Sequence, residues 1–388
     1  MQRSTDRVLT THVGALQRPV ELSQAMAEQG ENSPEARELL RSAVADVVRR
    51  QVDLGIDVVD DGEFGKTLWM WYVRDRLDGI GSRDWSEADE AYLKGRDREE
   101  FDEFYAWADA NQSLFGFMED TYFFAPIVTQ PVVTGPITYR PESVRRDIEN
   151  LREATAGKDV TEVFMPVVAP ASIEVGLGNE YYASREDLMR ALADAIREEY
   201  KAIIDAGFLL QVDDAWVPAQ WDRRPELSLE EYRRYAQESI EVLNHALDGL
   251  PEDRIRYHIC WGSWHGPHKH DVPLVDILDI VLQVRAQAYV IEAANSRHEH
   301  EYHIWEDTKL PDGKILVPGV VTHATNALEH PELVAERITR FADRVGRENV
   351  IAGADCGFGS RIHPQLGWAK LQVLAEGADL ASRRLWQR

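Results

Sequence analysis

Short β-branched runs alternate with longer amphipathic stretches along the whole chain, and this alternation constrains the fold more than any other feature. The extended candidates are Val8–Val13, Ile56–Asp60, Pro131–Gly135, Val163–Ala169, Phe208–Asp213, Ile255–Cys260, Ala288–Glu292, Ile315–Val321 and Val350–Asp355. Helical patterns lie between them, at Pro34–Leu54, Arg185–Ala206, Leu229–Leu247 and Pro331–Val345. Ser184 precedes the second of these, Asp187 falls near its first turn and Gly207 follows it, which are the boundary signals of a helix. Such alternation implies a mainly parallel sheet, either open and doubly wound or closed into a barrel. No GxGxxG or GxxxxGKS/T follows the first strand, so the phosphate-cradling motifs of the open sheet are missing. The expectation is an α/β chain folded as a single (β/α)8 TIM barrel over residues 1–388, although nine extended candidates are one more than the barrel needs.

Residues 66–125 break the rhythm. They are dense in aromatics (Trp69, Trp71, Tyr72, Trp85, Phe101, Phe104, Tyr105, Trp107, Phe115, Phe117, Tyr122, Phe123 and Phe124) and lack clear strand–helix alternation. An inserted helical subdomain with its own small core is expected there, with a lid or a contact between copies of a homo-oligomer as its further uses. Composition narrows the partners. With 43 Lys+Arg against 68 Asp+Glu the net charge is −25, which repels phosphate backbones and anionic lipid, and no basic run carries interleaved aromatics. Nucleic-acid and membrane partners are therefore not expected. Met1–Thr11 is charged, and no 18-residue apolar run occurs, so a cytoplasmic location is the expectation. Two cysteines in 388 residues cannot make a disulfide framework, so each needs another explanation.

In a barrel of this class the chemistry sits at the C-terminal ends of the strands. His12, Glu63, Asp213, Cys260, Glu292, His323 and Cys356 all fall at or just past such ends. Residues two apart on a strand share a face, so His258 and Cys260 can bind one ion together. Zinc takes sulfur, imidazole nitrogen and carboxylate oxygen in tetrahedral sites, and Cys356 in Ala-Asp-Cys-Gly would use the second cysteine of the chain. Two other histidine groups, His265/His268/His270 and His298/His300/His303, lie in polar segments just after strands and are expected to be incidental histidines of solvated loops.

His-x-Cys at 258–260, Glu292 ahead of Asn295-Ser296-Arg297, and the Cys356 of Asp-Cys-Gly stand in the order found in the catalytic barrel of cobalamin-independent methionine synthases, which the second half of the chain resembles. Thr10-Thr11-His12-Val13-Gly14, Asp61-Gly62-Glu63, Thr134-Gly135-Pro136, Gln211-Val212-Asp213-Asp214 and Pro318-Gly319-Val320 with His323 extend the resemblance over most of residues 8–361. The resemblance implies Zn2+ on His258, Cys260, Glu292 and Cys356, a thiol acceptor such as homocysteine, and transfer of an alkyl group, most simply methyl, to the zinc-bound thiolate. It implies Glu63 and Asp213 as carboxylates for the acceptor's amino group, His12, Asn295 and Ser296 as further substrate-binding residues, and His323 as proton donor to the leaving group. The pattern departs at Ala15, where the family has a serine, and around Tyr139-Arg140, where it has a folate-stacking tryptophan. These departures bring forward the similar single-barrel epoxyalkane–coenzyme M transferases, which add a thiol to an epoxide. A non-catalytic zinc-binding barrel is the alternative from another class. Partners are then a small-molecule thiol and an alkyl donor.

Overall fold

The computed structural model describes residues 1–67, 72–84, 94–114, 129–359 and 361–387. Its strands are β1 (Leu9–Thr10), β2 (Val58–Val59), β3 (Leu77–Asp84), β4 (Thr129–Tyr139), β5 (Glu162–Val168), β6 (Gly178–Asn179), β7 (Leu209–Asp213), β8 (Ile255–Ile259), β9 (Ala288–Ile291), β10 (Ile315–Val321) and β11 (Ile351–Ala354). Eight of them form one parallel sheet in the order β1-β11-β10-β9-β8-β7-β5-β2. A parallel bridge between Thr11 and Val58 joins its two ends, so the sheet closes into a (β/α)8 barrel. The surplus extended run, Pro131–Gly135, belongs to β4, which pairs antiparallel with β3 and parallel with β6 in a separate three-stranded sheet. That resolves the count of nine.

Helices form where the 3.6-residue period and the caps agree. Pro34–Asp53 starts at Ser33, whose side chain accepts from the Ala36 amide, and Leu229–Ala246 starts with a reciprocal Ser228–Glu231 capping box. Ser184 caps Arg185–Asp205 by accepting from the Asp187 amide at 3.1 Å. The apolar stripes of these helices bury against the outer face of the barrel, as Leu192, Ile196 and Ile203 do beside Leu210 and Val212. Alternate strand residues point inward instead. Leu9, Ala288, Val290, Ile315, Val317 and Ile351 make one inner cluster, and Val58, Phe164 and Leu209 another. The inward parity therefore ends in Asp213 on β7 and Glu292 after β9, which carries polar side chains to the mouth.

Within 66–125 the described residues form a 3-10 turn at Tyr72–Arg76, strand β3, and helices at Arg96–Glu100 and Asp102–Ala110. Tyr105, Ala108 and Leu114 build a small cluster with Trp264 from the loop after β8. Trp69, Trp71, Trp85, Phe115, Phe117, Tyr122, Phe123 and Phe124 lie outside the described residues. A buried ion network fastens the small sheet to the barrel helices. Arg76 Nη1 donates to Glu199 at 2.7 Å, its Nη2 to Asp147 at 2.5 Å, and the Tyr139 hydroxyl to Glu199 at 2.6 Å. No helix among the described residues is long and apolar enough to cross a membrane.

Candidate metal centre

Strand β8 presents Arg256, His258 and, just past its end, Cys260 to the lumen. Arg256 is buried and ties β8 to β1, donating to Thr11 Oγ1 at 2.9 Å and to the His12 carbonyl at 2.7 Å over the Phe164 ring. Above it, His258 and Cys260 meet Cys356, which follows β11. One ligand atom from each lies within 4.8 Å of the others. The two sulfurs are 3.9 Å apart. Two Zn–S bonds of about 2.3 Å at a tetrahedral angle would set them ~3.8 Å apart, so the spacing suits a shared cation. His258 Nδ1 hydrogen-bonds Asp213 Oδ1 at 2.9 Å, while its buried Nε2 has no hydrogen-bond partner. Donation from Nδ1 fixes the tautomer that leaves the Nε2 lone pair for a metal. The thiols are unequal. Contact with Cys260 lowers the Cys356 thiol to about 7 against the effect of burial, with His258 and Arg361 helping, whereas Cys260 is pushed well up.

Glu292 is not among the three converging groups. Its Oε1 accepts from the Trp261 amide at 2.9 Å and its Oε2 from Asn295 Nδ2 at 2.6 Å. Burial, with Asp355 and Cys356 adding to it, raises this carboxyl to about 8. Asn295 spends both ends of its amide inside the protein. Nδ2 also reaches Asp355 at 3.2 Å, and Oδ1 accepts from the amides of Arg297 and His298. Asp355 in turn accepts from the Ala293 and Ala294 amides at 2.8 Å, locking the turn that carries Glu292. Ser296 is exposed.

The other wall of the mouth is acidic. Glu63 is buried in the left-handed region at φ 62°, and Lys66 folds back over it with Nζ 2.9 Å from Oε2. Lys66 Nζ also donates to the Pro166 carbonyl at 2.5 Å and lies 4.8 Å from the Tyr72 ring centroid. Asp213 Oδ1 accepts from Gln211 at 2.7 Å as well as facing His258. His12 has both ring nitrogens engaged, Nε2 with Gln51 at 2.7 Å and Nδ1 with the Gly14 amide at 3.2 Å. Burial drops it to about 4, so it stands neutral behind the acidic wall. Tyr139 is committed to the Glu199 network.

His323 is buried with Nδ1 unpartnered. Burial first, then Arg361, His265 and His268, hold it well below its ordinary value, so it is a neutral imidazole. Arg361, two residues past Gly359 in the Cys356 loop, donates Nε to Ser263 at 2.6 Å. The histidine loops divide. His300 and His303 are exposed, as expected of a solvated loop. His298 and His268 are not. His298 bonds Asp271 at 3.1 Å and Glu301 at 2.8 Å and stacks on Trp261 at 4.0 Å, and His268 bonds the same Asp271 at 3.1 Å. Asp271 is what pulls both rings in, and its place between the two loops has no signature in the local sequence. Lys66 and Arg361 carry weak signals only, each being a basic residue a few positions beyond a motif residue at a strand end.

Comparison with known proteins identifies the family and the fold. Residues 119–379 match the family model described as cobalamin-independent synthase, catalytic domain. A methionine synthase of Thermococcus kodakarensis is 23% identical over 90% of this chain and 85% of its own length, and one of Saccharolobus solfataricus is 25% identical over 97% and 95%. Among solved structures, a B12-independent methionine synthase from Shewanella sp. W3-18-1 in complex with selenomethionine shares the fold, with a TM-score of 0.73 at 19% identity over 98% of this chain and 100% of its own. The matched residues span β4 to β11 and with them His258, Cys260, Glu292, His323 and Cys356, and on that ground the chain belongs to the cobalamin-independent synthase catalytic-domain family.

Proposed function

We propose that the protein is a zinc-dependent alkyltransferase that moves a methyl or related alkyl group from a small-molecule donor to a thiol, with His258, Cys260, Cys356 and Glu292 holding the ion. The convergence of one imidazole and two thiols at the barrel mouth carries the proposal. Zinc held there would lower the pKa of an acceptor thiol so that it attacks carbon as a thiolate at neutral pH. The names of the relatives make homocysteine the first acceptor to offer.

The side chains divide the remaining work. Asp213 orients His258, and Asn295 with the Trp261 amide holds Glu292 beside the cluster. The proton that the thiol gives up equals the one that the leaving group gains, and His323, buried with a bare nitrogen, is carried as the proton donor to that leaving group. Glu63, Asp213, His12, Asn295 and Ser296 are carried as the acceptor-side residues, His12 and Asn295 acting through the groups they hold. Residues 66–125 are carried as an inserted subdomain or lid, of which Tyr105, Ala108 and Leu114 pack against Trp264 in the loop after β8. A cytoplasmic setting suits two free cysteines.

Elemental analysis should return one zinc per chain, and Cys260→Ser or Cys356→Ser should each lose most of it. Zinc-edge X-ray absorption should gain a third sulfur when thiol is added. Absence of stoichiometric metal, or an unchanged sulfur count with every thiol offered, would overturn the proposal.

A further inference from the structure

Any thiol that reaches the sulfur pair lies beside Asp213, because Asp213 is bonded to His258. Glu63 is the second carboxylate of that wall. Two buried carboxylates require a positive partner. An acceptor that brought its own ammonium could be that partner, but the protein already supplies one. The turn Asp61–Lys66, closed by the Glu63 amide on Asp61 Oδ1 at 2.9 Å and the Lys66 amide on the Glu63 carbonyl at 3.1 Å, sets Lys66 Nζ on Glu63 Oε2. Both side chains are less than a tenth exposed. The ammonium is pinned from behind by the Pro166 carbonyl and the Tyr72 ring, and the other Glu63 oxygen is packed against Gly14, where an added Cβ would stand 2.8 Å from Oε1. The Oε2 atom of Glu63 is thus taken by the chain itself, and a second ammonium approaching this carboxylate would have to break a buried ion pair or face a like charge.

We infer that Lys66 determines acceptor specificity: it fills from within the place an α-ammonium would take, so the thiol acceptor of this protein is one without an ammonium group, with a neutral or anionic far end. The inference rests on the thiol-alkylation proposal and narrows it to a class of acceptor. Homocysteine and 4-mercaptobutyrate differ only in the amino group, which makes them the pair to compare.

The protein is loaded with cobalt(II), and the Kd of each thiol is read from the thiolate-to-cobalt charge-transfer band. The wild type should bind 4-mercaptobutyrate about tenfold tighter or more. Lys66→Met, which removes the charge and frees Glu63, should abolish or reverse that preference, and Lys66→Arg should keep it. Equal or tighter homocysteine binding by the wild type, or an unchanged ratio in Lys66→Met, overturns the inference while leaving thiol binding intact. If neither thiol raises the band, the thiol-on-metal proposal itself fails and the inference falls with it. Should Lys66→Met not fold, the wild-type and Lys66→Arg ratios decide.

Discussion

Two histidines in this barrel sit at opposite ends of the titration scale for reasons visible in their partners. His12 loses its charge to burial, with only the Gln51 amide to offset it. His298 is buried too, yet hydrogen bonds to Asp271 and Glu301 overcome that penalty and raise it to about 10. Its folded value lies above the ordinary value of about 6.5, so its contribution to stability is complete below about pH 6.5 and fades as the pH rises toward 10. Denaturant titrations across that window should show stability falling, and His298→Gln should be less stable at neutral pH by about 1–3 kcal/mol and lose much of the slope. Gly14 is a second sensitive position. Its φ is 129°, and an added Cβ would stand 2.6 Å from Pro166 Cγ. Gly14→Ala should therefore cost about 1–3 kcal/mol in a melt and disturb Glu63. The proposed metal ligands could be named from motifs alone because each falls at or just past a strand end. Lys66 and Asp271 could not, since their roles depend on which loops face one another.

The elements make their own predictions. Removing one partner of a buried ion network leaves uncompensated charge, so Arg76→Met should cost about 3–5 kcal/mol, and hydrogen exchange should rise first in β3 and β4. The helix at Arg96–Glu100 is clamped to the loop after β8 through Asp97, which accepts from the His270 amide at 3.0 Å and the Lys269 amide at 3.3 Å. In Asp97→Ala, exchange in residues 261–272 should increase while the barrel strands stay protected. At this scale the sequence pattern and the structure part company in one place. Helices such as Pro331–Val345 match the periodic pattern end to end, because an amphipathic stripe against a barrel has one way to lie. β3 carries Asp78, Gly79, Gly81, Ser82 and Arg83, is half exposed, and owes its extended form to pairing with β4 some fifty residues away. No local period encodes such a partnership.

For the whole molecule, the proposed ion between the ends of β8 and β11 would couple distant parts of the ring. A ligand that binds only the folded state stabilises it by about 4 kcal/mol at a thousandfold excess over its Kd. Calorimetry should therefore show a higher Tm for zinc-loaded protein than for protein treated with chelator, and the difference should vanish in Cys356→Ser. The two cysteines stand 96 residues apart, and the second follows the last barrel strand. A ribosome releases the chain from the amino end. Cys260 thus emerges long before its counterpart, and until Cys356 follows, the proposed set lacks its second thiolate and makes a weaker chelate. On the proposed ligand set, firm capture of the cation would wait until the final strand is delivered, and its uptake would mark the completion of the ring during biosynthesis.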